Sequence, residues 1–391
     1  MAHGVVIVGT GQGGFQLAAS LRESGFSDPV TLVGDEPGLP YQRPPLSKAF
    51  LQGKVDETGL LLRPPSFYER INARVIGGMR VEHIDRAARC VRLTSGMVLP
   101  YDHLVLATGA TARTLAVSGS DLSGVCVLRG LDDARRIRER LARASAVAVV
   151  GAGFIGLELA AVARGMDLPI HVVEATARPL LRALSEPMAR HLQDFHESLG
   201  THFHLSSQCD AIEGESGQAT GLRLRDGSHI AADLIVVAVG VLPNDRLARD
   251  VGLAVSNGIE VDELLLTTDP AISALGDCAS FPFALGGGAR VRIESVQNAV
   301  DQARCIAARL CGQPLPYAKV PWFWSEQGLC RLQMAGLAHP DDRSEIEGDP
   351  NSGRFSVLRF RGDQLSAVES LNDPAAHMRA RKALAPALAP A

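Results

Sequence analysis

With 391 residues, 46% of them hydrophobic and 21% charged, the chain has an ordinary globular composition and enough length for two or three domains with ample core. Its formal charge of −4 gives no overall attraction to nucleic acid, and no apolar run approaches the roughly 20 residues that span a bilayer, so neither is expected as a partner. Seven scattered cysteines without a C-x-x-C pair read as small reduced thiols, and a first strand starting almost at residue 4 leaves no room for a signal peptide, which points to the cytoplasm.

The chain opens on a strand–loop–helix–strand unit. Val5, Val6, Ile7 and Val8 form a short apolar strand, and Gly9, Gly11 and Gly14 supply G-x-G-x-x-G. An apolar-faced helix follows, then a second strand ending at Asp35 and Glu36. Glycine at these positions permits the tight turn, the close approach of backbone to a pyrophosphate and tight helix packing, while Asp35 stands a little beyond the spacing of about 20 residues expected of a ribose-binding acid.

Residues 37–65 are proline-rich and irregular. An insertion of that length either lies over the cofactor or forms a solvated loop. Val75 to Leu106 reads as short strands of an inserted antiparallel sheet, with turns at Gly77-Gly78 and Ser95-Gly96. Around Leu131, Ala134, Ile137 and Leu141 the apolar period is helical, with Asp132 and Asp133 in the favoured first turn.

The opening unit then recurs. Val147 to Val150 is a strand, Gly151, Gly153 and Gly156 repeat the loop, and Ile170 to Val173 leads to Glu174. Later segments echo each other as well, Leu99 to Gly109 matching Ile230 to Gly240. Two dinucleotide sites are therefore expected, and Gly276-Asp277 after a further apolar strand gives one of them another acid. Val296 to Leu310 has the pattern of an amphipathic helix. Beyond Pro314 the character changes: Trp322, Phe323 and Trp324 precede strand-like runs, of which Phe355 to Phe360 and Leu365 to Leu371 face each other across a Gly362-Asp363 turn. The Ala/Pro-rich end, KALAPALAPA, has no pattern for packing and is expected to fray.

The motifs GDEPGLPYQRPPLSK, LATGA, GAGFIGLELA, LGDCA, RIESVQNA and PWFWSEQ, in that order, resemble the FAD-dependent ferredoxin reductases of bacterial oxygenase systems, the putidaredoxin-reductase-like group. The resemblance implies an α/β fold with two Rossmann-like, glutathione-reductase-like domains and a small α+β C-terminal domain. FAD would be held by residues 1–110 and 243–314, NADH by 111–242, and an interface domain would occupy 315–391.

Onto FAD the resemblance carries Gly9, Gly11, Gly13, Gly14, Asp35, Arg43, Lys48, Val81, Ala107, Thr108, Gly109, Arg129, Gly276, Asp277, Val296 and Trp324. Onto NADH it carries Gly151, Gly153, Phe154, Ile155, Gly156, Glu158, Glu174, Arg182, Gly240 and Glu294, with Ser295 also beside the nicotinamide. Arg129 suits a pyrophosphate, Asp277 suits ribityl hydroxyls, and a cation at Lys48 would favour hydride acceptance. Glu158 is the implied partner of Lys48 and the second catalytic residue, although an acid near a helix start also has a purely electrostatic reason to be there. Glu174 would hold the ribose 2′-hydroxyl and repel a 2′-phosphate, preferring NADH, while Arg178 and Arg182 lie close enough to blur that choice.

No cysteine lies between Gln12 and Leu51, so electrons leave without a dithiol relay, which favours one-electron transfer to a protein acceptor. The implied partner is a small [2Fe–2S] ferredoxin, bound transiently; such acceptors are usually acidic, so an arginine patch is expected to steer it, although the totals, 35 arginines among 39 basic residues, do not locate one. Trp322 and Trp324 stand either at the flavin edge or in a core. The histidines have no ligand spacing, and no metal is expected. Relatives commonly carry a longer C-terminal segment, so a shorter outer wall to the docking surface is expected. The alternatives are a reductase of a small acceptor (quinone, monodehydroascorbate or oxygen) or a signalling flavoprotein like the apoptosis-inducing factors.

Overall fold

The computed structural model describes residues 3–283 and 288–385. Two five-stranded parallel sheets repeat one plan. In the first, Val5–Val8 lies between Val30–Val33 and His103–Leu106, with Ala73–Ile76 and Ile272–Ala274 at the edges. In the second, Val147–Val150 lies between Ile170–Val173 and Leu234–Val237, with Thr201–His204 and Val125–Val127 at the edges. The central strands are fully buried valine-rich runs, as strands covered on both faces must be. The registers correspond, Val5 facing Val30 as Val147 faces Ile170.

The edge strand beside the fourth position comes from opposite directions along the chain: from far downstream in the first sheet and from upstream in the second. The chain passes between the units twice, through Ala110–Ala112 and Val241–Pro243, which pair antiparallel. Asn244 clasps this crossing, its backbone carbonyl accepting from Thr108 Oγ1 at 2.6 Å while its side-chain amide donates to Thr108 O at 2.9 Å.

Three sequence expectations need correction. The second strand stops at Val33, short of Asp35 and Glu36. Of the supposed inserted sheet, only Val81–Asp85, Cys90–Leu93 and Val98–Pro100 are antiparallel, because Ala73–Ile76 and His103–Leu106 belong to the parallel sheet, where all-apolar packing suits them. Part of the Ala/Pro end is ordered: Pro374–Leu384 is a helix capped by Asp373 Oδ1, with Leu384 buried against Ala335 and Val368, whereas 386–391 lie outside the described residues. The second unit also carries an antiparallel insertion over Cys209–Ala231, which the sequence reading did not separate.

The C-terminal strands form one antiparallel sheet with Trp322–Gln327 at one edge and Arg343–Asp349 at the other. Its inner residues Cys330, Leu332, Phe355, Val357 and Leu371 share a core with Leu157 and Leu192 of the second unit and with Tyr41, Leu46 and Phe50 of the proline-rich insertion. That insertion is therefore no solvated loop. It is ordered around a short 3-10 turn, Pro44–Ser47.

One buried titratable group sets an acid limit. His103 lies in the first sheet with its Nε2 on Ser273 Oγ at 2.9 Å and near Arg309, and burial, then the Arg309 charge, push it down to about 3. Its folded pKa is below the unfolded value, so this contribution is present above about pH 6.5 and is lost as pH falls towards 3, at about 1.4 kcal/mol per pH unit. Urea midpoints taken from pH 7 to 4 should fall, and His103→Asn should flatten the slope by that amount.

Candidate functional site

The two glycine loops show which positions the fold itself requires. Gly9 has φ +127°, and a Cβ there would lie 2.1 Å from Ala107 O; a Cβ on Gly14 would lie 2.0 Å from Gly9 O. The second loop repeats both conflicts, with Gly151 (φ +106°) 2.5 Å from Ala238 O and Gly156 2.2 Å from Gly151 O. The middle glycines are different. A Cβ on Gly11 would meet nothing within 4 Å, and one on Gly153 only Ala238 O at 3.9 Å. The helices that follow, Gln12–Glu23 and Phe154–Arg164, start from these extended glycines with no side-chain cap and no acid in their first turns. Each loop therefore presents bare amides to an open space next to a glycine that packing does not require, which fits a pyrophosphate. Gly13, by contrast, serves packing: a Cβ there would lie 2.3 Å from Leu275 Cδ1.

Beyond the loops the two units diverge. Glu174 follows its strand directly, its carboxylate accepting from Ala152 N at 2.8 Å and from Thr176 N and Oγ1 at 2.9 and 2.8 Å. The corresponding place in the first unit is Gly34, where a Cβ would strike Thr10 Oγ1 at 2.1 Å. Asp35 stands one residue further on, exposed and paired with Arg80 at 3.3 Å. Glu36 turns inward, accepting from Tyr41 Oη and Arg43. Burial works against the Arg43 charge, yet Tyr41 and Glu36 hold its guanidinium above its ordinary value.

From Arg43 a line of polar contacts crosses the first unit. Arg43 donates to Arg129 O at 2.8 Å, Arg129 donates to Asp277 Oδ2 at 2.8 Å, and Arg292 donates both to Asp277 O at 3.0 Å and to Glu294 Oε1 at 2.7 Å. Sequence positions 43, 129, 277 and 294 are thus brought into one row. It is bordered by Thr108 and Gly109, whose added Cβ would lie 3.3 Å from Arg129, and by Gly276, where the chain bends at φ +74°. Val296 starts the helix Val296–Leu310 behind it. Val81 is 3% exposed in the core, so any contact with a nucleotide is left to its backbone.

Lys48 and Glu158 also meet. Lys48 Nζ donates to Glu158 Oε2 at 2.9 Å, and Ser47 Oγ donates to the same oxygen. Ser325 Oγ donates to Glu158 Oε1 at 2.8 Å. One buried carboxylate on the second loop's helix is therefore held by the proline-rich insertion on one side and the C-terminal sheet on the other. Phe154 packs on Phe323 with ring centroids 4.7 Å apart, and Ile155 is exposed. Trp322 and Trp324 share a face, 5.7 Å between centroids, with Arg381 over the Trp322 ring at 4.7 Å. Gly240 is exposed at φ +103° and Arg182 is exposed. Arg178 turns away from Glu174's strand end to donate to Leu184 O at 2.9 Å.

Residues 3–303 match the pyridine nucleotide-disulphide oxidoreductase family and residues 322–391 match the reductase C-terminal family, so the chain is a member of the former with the latter's domain appended. FAD and NAD(H) are the cofactors of this class. Within it the chain is similar to rhodocoxin reductase of Rhodococcus erythropolis, 49% identical over 97% of this chain and 89% of that protein. Among solved structures it is similar to a ferredoxin reductase from Rhodopseudomonas palustris (43% identity, TM-score 0.92, 94% of this chain and 91% of that one). A second is the reductase of the covalent putidaredoxin reductase–putidaredoxin complex (38% identity, TM-score 0.95, 98% and 93%). Among the described residues, no helix is long and apolar enough to cross a membrane and no group of acidic, histidine or cysteine side chains could hold a metal.

Sequence reasoning passed over Ser47, Ser325, Tyr41, Glu36 and Arg292. All five lie inside the motifs GDEPGLPYQRPPLSK, RIESVQNA and PWFWSEQ, but a serine bears no charge to mark it, and Arg292 is one arginine among many.

Proposed function

We propose that the chain is an NADH-dependent ferredoxin reductase whose first unit holds FAD, whose second holds NADH, and whose acceptor is a small acidic [2Fe–2S] ferredoxin that feeds an oxygenase. The observation that carries the reading is the pairing of Lys48 with the buried Glu158, which ties the two nucleotide units together in a region without a cysteine between Gln12 and Leu51. Bound FAD supplies the chemistry that separates a hydride into single electrons. The chain's residues do the rest. The Gly11 and Gly153 loops bind the two pyrophosphates, Arg43, Arg129 and Asp277 fix the first nucleotide, and Lys48 places a cation, oriented by Glu158, where negative charge develops. On the C-terminal helix, Arg381 lies over the Trp322 ring and Lys382, next in sequence, is exposed, which supports a basic surface for an acidic partner.

Stopped-flow mixing of the yellow protein with NADH under argon, then with oxidised ferredoxin, tests this. Rapid bleaching and rapid reoxidation are expected, the second step slowing at least about tenfold between low salt and about 0.5 M as the surface charges are screened. Bleaching without reoxidation points to a small acceptor, and a reoxidation rate indifferent to salt removes the electrostatic docking. Glu174 sets the coenzyme: with Arg178 turned inward, Glu174→Ala should cost about tenfold in kcat/KM for NADH and raise the NADPH/NADH ratio by as much or more.

A further inference from the structure

Glu158 is the end point of a hydrogen-bonded chain whose every member is buried: Ser325, Gln327 and His196 are 0%, 1% and 0% exposed. Its direction can be read from the far end. His196 Nε2 lies 2.9 Å from Gln327 Oε1, and its Nδ1 has no partner. Burial, only partly offset by Gln327, lowers the tendency of this ring to take a second proton, so its one hydrogen sits on Nε2 and is donated to the Gln327 carbonyl. With its oxygen so engaged, Gln327 turns Nε2 towards Ser325 and donates to Oγ at 3.2 Å. A hydroxyl has one hydrogen, and with Gln327 donating to its oxygen Ser325 spends it on Glu158 Oε1, at 2.8 Å.

The three links thus donate in one sense, from helix Glu186–Ser198 through strand Trp322–Gln327 to the carboxylate, and each polarises the next. On the other oxygen Lys48 and Ser47 donate from the opposite side. An unanchored carboxylate could rotate and give Lys48 either oxygen or none. Held at both ends, it offers one.

We infer that Ser325 is a positioning residue for the reaction: backed by Gln327 and His196, it locks the Glu158 carboxylate in the orientation that presents Lys48 to the nicotinamide–flavin junction. This rests on the reading of Glu158 and Lys48 given above. It assigns a task to the C-terminal sheet in the first half of the reaction, in addition to any part in docking.

The experiment compares holoenzymes carrying Ser325→Ala, Ser325→Thr, Glu158→Gln, and Ser325→Ala with Glu158→Gln, by anaerobic stopped-flow reduction with NADH, by NAD⁺ titration of the oxidised protein and by thermal unfolding. Ser325→Ala should slow flavin reduction about tenfold with the NAD⁺ Kd within about twofold of wild type, and Ser325→Thr, which keeps the hydroxyl, should restore it. In the Glu158→Gln background the alanine should add little, because the two changes act through one group. Wild-type reduction in Ser325→Ala alongside slow reduction in Glu158→Gln overturns the positioning role alone. Wild-type reduction in Glu158→Gln overturns the reading of Glu158, and the proposal with it. A rate loss in Ser325→Ala that threonine does not restore, or that follows a matching loss of thermal stability, overturns the inference in favour of packing.

Discussion

A Gly11→Val chain should fold normally and come off the column colourless. The backbone at Gly11 is extended, at φ −75° and ψ −170°, a conformation a β-branched residue adopts readily, and a Cβ there meets nothing within 4 Å. The added carbons occupy the space beside the helix amides, and FAD affinity should fall by about 100-fold or more. Gly153→Val should have the complementary result: a yellow protein, because the first loop is intact, whose KM for NADH rises about tenfold or more. Gly14→Ala and Gly156→Ala make the contrast, because the new carbon would lie 2.0 and 2.2 Å from a loop carbonyl and the loop itself must deform. Absorbance at the flavin band per protein, with a melting curve, separates the cases. A Gly11→Val chain that keeps a full complement of flavin would remove the first loop as the FAD site.

Lys48→Met is the second large effect. The substitution keeps most of the aliphatic stem and removes the cation from a carboxylate whose side chain is only 6% exposed. Removing one partner of a buried pair costs more than the pair contributes, of the order of 3 kcal/mol where burial is nearly complete, and Lys48, itself 18% exposed, should lose somewhat less. Flavin reduction by NADH should slow by about 100-fold, the range seen when one preorganised donor is removed from a site of developing charge. The double variant Lys48→Met, Glu158→Gln separates the two consequences: the neutral amide no longer needs a cation, so melting should recover while the rate does not. Recovery of both would make the pair a structural tie and nothing more.

The features legible in the sequence were those that repeat or carry charge. Val147 to Glu174 repeats the strand, glycine loop, helix and strand of the opening unit, and the two sheets then carry matching registers, while Lys48 stands out because lysine is rare in this chain. Long-range pairing was harder. By spacing Asp35 is the expected acid of the first unit; in the fold Gly34 holds the place corresponding to Glu174, where Thr10 fills the room a side chain would need, and Asp35 stands one residue further on. Ser325 and Ser47 converge on Glu158 from opposite sides, yet they are separated by 278 residues, and no local pattern encodes that meeting. The first residues of KALAPALAPA depart from the expected fraying for a related reason: they end the helix Pro374–Leu384, where Leu384 packs against Ala335 and Val368 of the sheet upstream.

The late arrival of the strand Ile272–Ala274 has a bearing on how the protein is made. Between Leu106 and Ile272 lie 165 residues, including every strand of the second sheet, so that sheet can be completed while the first still has an open edge along His103–Leu106. At about 5–20 residues per second the ribosome leaves that edge unpaired for roughly 10 to 30 s. Asp277 emerges only after it. The nascent chain should therefore complete the sheet of its second unit first, and the row of contacts that ends on Asp277 can close only once the chain has passed that residue.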